Sequence, residues 1–362
     1  MKKILLPLFI LLAQCSFSQI TKVKDLRIGS TMLEVNGKLL FAGNDTATSY
    51  RYHLWISDGT AAGTYQLKSF TNGMHPNDAT GYHYYSPIVF NGDLYFEADD
   101  NGAGDALWKS DGTLAGTVLV KSFNGNMNGP YFDQYPSFCI LNNELLFAAG
   151  DNVHGMELWK TDGTTAGTVM VKDIASDNFY GSIPSFLTNY NNMVYFSAYD
   201  ETHGVEIWKS DGTEAGTQIL KDIIPGTGGV TNDGYGESID PQFTVSGSYL
   251  YFTGHKNSNT GQDYLYRTDG TDAGTILLDS TIIKDAPLDY HKNFQTDVNG
   301  EFYFLGIPPS NDGSFIYKSD GTQNGTVNVP TNNGLSAFGE FFAFNGKLYF
   351  HGQQNNDTKD GL

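Results

Sequence analysis

Cysteine is almost absent from this chain of 362 residues: Cys15 and Cys139 are the two that occur. Cys15 falls in a leader expected to be removed, and one remaining cysteine can form neither an internal disulfide nor a thiolate metal site. Basic residues are also scarce, with 21 Lys and Arg against 40 Asp and Glu, a formal charge of −19. A field of that sign repels phosphate backbones, which argues against nucleic acid as a partner. No apolar run reaches the roughly 18 residues that a membrane-spanning helix needs. The HExxH, GxSxG, GxGxxG and P-loop patterns are all missing, and the eight histidines show no ligand spacing. These absences leave no recognisable catalytic centre.

The first residues read as a secretory signal: Lys2 and Lys3, an apolar run from Ile4 to Ala13, then Ser16-Phe17-Ser18 before a cut. Residues 1–18 are assigned to it, 19–30 to an N-terminal lead-in, and 31–362 to a repeat domain. Loss of Lys2 and Lys3 lowers the basic count from 21 to 19 against 40 acids, giving −21. Secretion or display on the outer cell surface is the expected location.

Six near-copies of one phrase dominate the rest: LWISDGTAAGT, LWKSDGTLAGT, LWKTDGTTAGT, IWKSDGTEAGT, LYRTDGTDAGT and IYKSDGTQNGT. Their aspartates are Asp58, Asp111, Asp162, Asp211, Asp269 and Asp320, at steps of 53, 51, 49, 58 and 51 residues. A second motif, typified by FNGDLYF, recurs seven times and closes on Phe41, Phe96, Phe147, Phe196, Phe252, Phe304 and Phe350. Asn-Gly between apolar runs marks a two-residue hairpin, because a type I′ turn needs φ > 0 at both central residues. Each unit therefore reads as four strands, a to d. The a–b turn carries Asn-Gly, and the c–d turn carries Asp-Gly-Thr, whose Asp can bond its own backbone two residues on.

A period near 50 residues made of short strands points to an all-β fold, a β-propeller of four-stranded antiparallel blades. The expected units are about 31–70, 84–123, 135–174, 183–223, 241–280, 294–330 and an incomplete 340–362. Seven hairpin motifs against six Asp-Gly-Thr motifs make six full blades and half of a seventh, with the chain stopping where strand c would begin. Trp55, Trp108, Trp159 and Trp208 share one position of strand c, with Tyr266 and Tyr317 taking it in the last two units. They are assigned to packing between blades, and the six aspartates to the repeat scaffold.

Glu157-Leu158-Trp159-Lys160-Thr161-Asp162-Gly163-Thr164, with Gly167-Thr168-Val169-Met170-Val171-Lys172-Asp173-Ile174 after it, resembles the bacterial ELWxxDGT repeat. The resemblance covers about 40–350, with departures at Tyr266, Tyr317 and the tail after Thr326. It implies a secreted or surface-displayed repeat protein, often one carrying a C-terminal sorting domain for type IX secretion, here past Leu362. It implies no activity, and no catalytic residue is transferred.

Specific sites must lie in what does not repeat. Strand parity places the a–b and c–d turns at one end of every blade and the long, variable b–c and d–a loops at the other. Variable loops on a rigid scaffold are where binding residues concentrate. The candidate ligand-binding residues there are Tyr84, Tyr85, Tyr131, Phe132, Tyr180, Tyr235 and Tyr290, aromatics suited to stacking on a glycan or gripping a surface protein. The same rings would also serve to plug a channel mouth. Asp99 and Asp105 in the b–c loop offer oxygen ligands for calcium, with Asp151/Glu157 and Asp200/Glu206 as equivalents. The spacing is not that of a dedicated calcium loop, so solvated turn residues are the first reading and no cofactor is assigned. His154 and His203, at one blade position, read as turn residues. The expected function is a non-enzymatic binding scaffold; the alternative is an extracellular hydrolase or lyase acting on polysaccharide through a carboxylate pair.

Overall fold

The structure, a computed structural model, describes residues 22–45, 51–74, 87–100, 106–123, 138–176, 180–230, 241–257, 262–284, 294–308, 314–330, 335–354 and 360–361. Among them there is no helix. The chain forms one four-stranded antiparallel unit after another, each in the order a-b-c-d. In the third unit these strands are Phe138–Leu141, Glu144–Asp151, Gly155–Thr161 and Val169–Lys172. The seventh unit shows Leu335–Phe344, Lys347–Gln354 and the short Asp360–Gly361.

The a–b turns are two-residue hairpins pairing Val35 with Lys38, Phe90 with Asp93 and Leu141 with Glu144. Their central residues are left-handed: Asn36 and Gly37 at φ 51 and 76, Asn142 and Asn143 at 48 and 61. This is the backbone expected of Asn-Gly, and asparagine tolerates it where glycine is absent.

Strand b alternates in and out, yet both of its faces are apolar because each sheet is covered twice. In the third sheet Leu145, Phe147, Ala149 and Trp159 face the second sheet, packing with Tyr95, Leu107, Val120 and Phe123. Leu141, Leu146, Leu158 and Val171 face the fourth, packing with Val194, Phe196, Ala198 and Trp208. Each hydrophobic cluster thus lies between two consecutive sheets, and strand a of one sheet lies beside strand a of the next. Sheets stacked face to face in this way are the blades of a β-propeller.

The tryptophans fill the expected inter-blade position, and all four are buried. Trp108 meets Phe70 of the preceding blade edge to face at 5.1 Å and donates its indole N–H to the Ala98 carbonyl at 3.2 Å. Trp159 meets Phe123 in the same way at 5.0 Å. A lysine from strand d of the preceding blade lies over each ring, Lys68 at 4.9 Å from Trp108 and Lys121 at 5.0 Å from Trp159.

One feature was not expected. The chain leaving strand d makes a second, brief pairing with strand b of the following blade before strand a begins. Gly73–Met74 pairs with Asp99 and Ala98 in this way, and Ile283–Lys284 with Ile307 and Gly306. Ile283 also pairs back to Tyr264 in strand c of its own blade, which joins the fifth and sixth sheets through one short strand.

Candidate functional site

The repeated phrase closes on itself. In the first unit Asp58 Oδ1 accepts from the Thr60 N–H at 2.9 Å and from the Thr60 hydroxyl at 2.7 Å. The Gly63 N–H donates to Thr60 Oγ1, the Thr64 hydroxyl donates to the Thr60 carbonyl, and Ser57 Oγ lies 2.7 Å from Thr64 Oγ1. The same set recurs around Asp111, Asp162, Asp211, Asp269 and Asp320. Hydrogen bonds from the threonine hydroxyl and N–H hold all six carboxyls below their ordinary range. The second glycine of GTxxGT is explained too: a Cβ at Gly63, Gly116 or Gly167 would sit 2.0–2.2 Å from the aspartate oxygen. The motif is therefore a loop-building device, with its polar groups committed to one another.

At the opposite end of the blades, the b–c turns and d–a connectors meet. In the third blade Asp151 Oδ1 accepts from the N–H groups of Val153 and His154 at 2.8 and 2.7 Å, and its carboxylate lies 3.0 Å from His154 Nδ1. Asp200 and His203 repeat this geometry in the fourth blade. The bond from Asp151 raises the His154 pKa above its ordinary value. Both histidines are turn residues, as their shared position before a glycine suggested. Gly155 (φ 70) lets the turn touch the connector, since a Cβ there would be 2.4 Å from the Gly181 nitrogen.

The connector is then clamped by a fully buried carboxylate. Glu157, on strand c, accepts from the N–H groups of Ile174, Ala175 and Ser182 at 3.0, 3.2 and 3.0 Å, and from the Ser182 hydroxyl at 2.5 Å. Around it the Met156 N–H donates to the Tyr180 carbonyl and the Ile183 N–H to the Met156 carbonyl. Glu206 does the same work one blade later, accepting from the Ile224 N–H at 3.2 Å. Burial pushes the Glu157 carboxyl up to about 7 and the Glu206 carboxyl up to about 8, against the opposing pull of these hydrogen bonds.

Of the residues assigned to ligand binding, Tyr180 is described: it stands 43% exposed on the clamped connector. Tyr84, Tyr85, Tyr131, Phe132, Tyr235 and Tyr290 lie outside the described residues, as does Asp105. Asp99 is buried, and its Oδ2 accepts from Asn72 Nδ2 at 2.6 Å, tying the b–c turn of the second blade to the connector from the first. Asp100 accepts from the Thr71 hydroxyl at 3.0 Å in the same junction. Asp151, Glu157, Asp200 and Glu206, the other acids of the calcium reading, all bond to the protein's own donors. Among the described residues no group of three or more His, Cys, Asp or Glu stands together as a metal site. Cys139 is buried with its thiol pushed up to about 11, which suppresses the reactive thiolate.

The role of Glu157 and Glu206 was missed in the sequence, where Glu preceded Leu-Trp or Ile-Trp without an evident partner. Apart from the Ser182 hydroxyl, their partners are backbone N–H groups, which leave no trace in side-chain identity.

No family model and no curated protein matches the chain. Among solved structures it is similar to puromycin hydrolase, at 14% identity and a TM-score of 0.45, over 91% of this chain and 50% of that one. It is similar to TolB from Acinetobacter baumannii at 15% and 0.39, over 84% and 65%. The β-propeller domain of the Trilobed protease from Pyrococcus furiosus gives 10% and 0.40, over 94% and 97%. The chain spans half the length of puromycin hydrolase. No residue role or activity is transferred from these proteins. Among the described residues no helix is long and apolar enough to cross a membrane.

Proposed function

We propose that this chain is a secreted or cell-surface propeller that binds a partner, a glycan or another surface protein, at the end formed by its b–c turns and d–a connectors. It performs no chemistry of its own in this reading. One observation carries the proposal: the connector bearing Tyr180 is fixed to strand c by a buried carboxylate and four hydrogen bonds, while the tyrosine itself remains exposed. A loop ordered before the partner arrives loses little conformational entropy on binding, and tyrosine offers a broad ring with a polar tip. The aromatic content of the other connectors and the acidic surface support the same reading, as does the resemblance to a surface-displayed repeat family.

The test is binding of the purified protein to a glycan array and to surface extracts, with Tyr180→Ala alone and combined with alanine at Tyr84, Tyr85 and Tyr131. Loss of a wild-type signal in these variants, with the thermal transition unchanged, is expected. Binding that survives all four substitutions overturns the assignment of this end.

A further inference from the structure

The strand-c residue just before Leu-Trp or Ile-Trp is Glu157 in the third blade, Glu206 in the fourth and His53 in the first. All three take a main-chain N–H from the stretch that leaves strand d. Glu157 accepts from Ile174 at 3.0 Å and Glu206 from Ile224 at 3.2 Å, while His53 Nδ1 accepts from Phe70 at 3.3 Å. The acceptors differ in what a proton does to them. A carboxyl that takes one up keeps a carbonyl oxygen that still accepts, whereas an imidazolium carries N–H on both nitrogens and accepts nothing. One blade position therefore holds two kinds of catch, which respond differently to acid.

The first connector is fastened around this catch. Arg51 Nη1 donates to the Thr71 carbonyl at 2.8 Å, and the Met74 N–H donates to the Tyr52 carbonyl at 2.8 Å. Arg51, Tyr52 and His53 thus hold the chain from Phe70 to Met74 at three successive points. Phe70 is 2% exposed, and its ring meets Trp108 and Phe96 of the second blade at 5.1 and 5.8 Å. Thr71 and Asn72 bond onward to Asp100 and Asp99. The connector is a seam between the first two blades, and His53 is the acceptor in it that protonates nearest to neutral pH.

Charged groups stand on each segment around this half-buried imidazole. They are Arg51 on its own strand, Asp45 past the end of strand b, and Arg27 on the short lead-in strand that pairs with Asn44 and Gly43. Lys68 ends strand d and lies 3.4 Å from Asp100, which shares the second-blade turn with Asp99. Burial is the largest influence and holds the imidazole below its ordinary pKa of 6.5, with Asp45 opposing and Arg51 adding to it. The stability supplied by the neutral ring is complete above 6.5 and is lost as pH falls through the lower value of the folded protein.

We propose that His53 is an acid-operated catch on the first connector: neutral, it holds the Phe70 N–H and keeps the seam between the first two blades closed; protonated, it becomes a donor facing a donor and lets Phe70–Met74 open, while the Glu157 catch stays shut. Acid thus loosens the first connector and alkali the third, with both ordered in the interval between. Any consequence for partner binding rests on the function proposed above; the catch itself does not.

Hydrogen exchange on the full chain at pH 5 and pH 7, corrected for intrinsic rates, reads the catch directly. The Phe70 amide should lose protection about threefold or more at pH 5, while the Ala175 and Ser182 amides keep theirs. His53→Gln supplies a side-chain oxygen that does not titrate and should abolish the acid loss. His53→Ala should leave Phe70 poorly protected at both pH values. Equal protection of Phe70 at the two pH values in the unsubstituted chain overturns the proposal. So does an acid loss that persists in His53→Gln, or one that reaches Ala175 and Ser182 to the same degree. Imidazole nitrogen shifts give a reading that needs no variant: Nδ1 should be unprotonated at pH 7 and titrate below pH 6.5, and a proton on Nδ1 at pH 7 refutes the catch. None of these readings requires a partner, so failure of the catch is distinct from failure of the proposed binding.

Discussion

The buried glutamates make stability fall as pH rises through the neutral range. Glu157 has an ordinary pKa of 4.5 and is raised to about 7 in the folded protein, with burial as the main cause. Between these values the folded state holds a proton that the unfolded state has released, so stability declines with increasing pH. The gap from 4.5 to about 7, at 1.36 kcal/mol per pKa unit, corresponds to about 3 kcal/mol. Glu206, raised to about 8, extends the decline to higher pH. The background titration of an acidic protein is removed by comparing wild type with Glu157→Gln in urea unfolding from pH 5 to pH 8. The glutamine leaves some connector N–H groups badly paired, which costs about 1–3 kcal/mol at every pH. That offset does not vary with pH. The expected result is that the wild-type advantage shrinks by about 3 kcal/mol across the range, accompanied by faster exchange of the Ile174, Ala175 and Ser182 amides in wild type at high pH. A constant difference would show that Glu157 is already ionised at pH 5 and that its four hydrogen bonds outweigh burial.

Trp108→Ala should cost about 3–5 kcal/mol, the range for truncating a large buried aromatic, and a loss below about 0.5 kcal/mol in chemical unfolding would mean that strand c faces water. Gly116→Ala should be destabilising because its Cβ would lie 2.1 Å from Asp111 Oδ1. In an Asp111→Ala background the same change should cost little, since Gly116 does not need a left-handed backbone; a double-mutant cycle with no coupling, against an expected 0.5 kcal/mol or more, would reject the loop account. Lys121→Met keeps the apolar stem but removes the charge over Trp159 and the bond to the Thr168 carbonyl, with an expected loss of about 1 kcal/mol in thermal or urea unfolding. No change would show that water serves Thr168 equally well.

Most of the scaffold could be read from the residues alone because its rules are local. A type I′ turn selects Asn-Gly, an Asx loop selects Asp-Gly-Thr, and strand pairing with period 2 fixes which side of each sheet Phe147 and Leu146 take. The brief pairings of Arg27–Ile28, Gly73–Met74 and Ile283–Lys284 were not legible. They depend on how each connector leaves strand d, and the connectors differ in length and composition. The clamp by Glu157 stayed hidden for a related reason: a carboxylate that gathers main-chain N–H groups constrains the backbone path and not the residue types along it. The lead-in does carry a signal, Lys-x-Leu where strand d of the first four units has Lys-x-Ile or Lys-x-Phe, but a single degenerate copy ahead of those four does not stand out from an entry segment.

These two kinds of contact set the two ends of the blades apart. At the Asp-Gly-Thr end, side chains bond to side chains and to nearby backbone within eight residues, so the loop is the same in every blade and tolerates no insertion. At the other end, in the third and fourth blades, a carboxylate on strand c reaches connectors more than fifteen residues away in sequence and grips mainly their backbone, as Glu157 grips Ser182 and Glu206 grips Ile224. A grip that falls mostly on main-chain N–H groups lets much of the connector sequence change while its attachment persists. Repeats joined by nearest-neighbour contacts allow such variation one blade at a time without unsettling the rest. A connector that can change its residues and keep its anchor is what the proposed binding end requires, and Tyr180 is the described candidate residue on one.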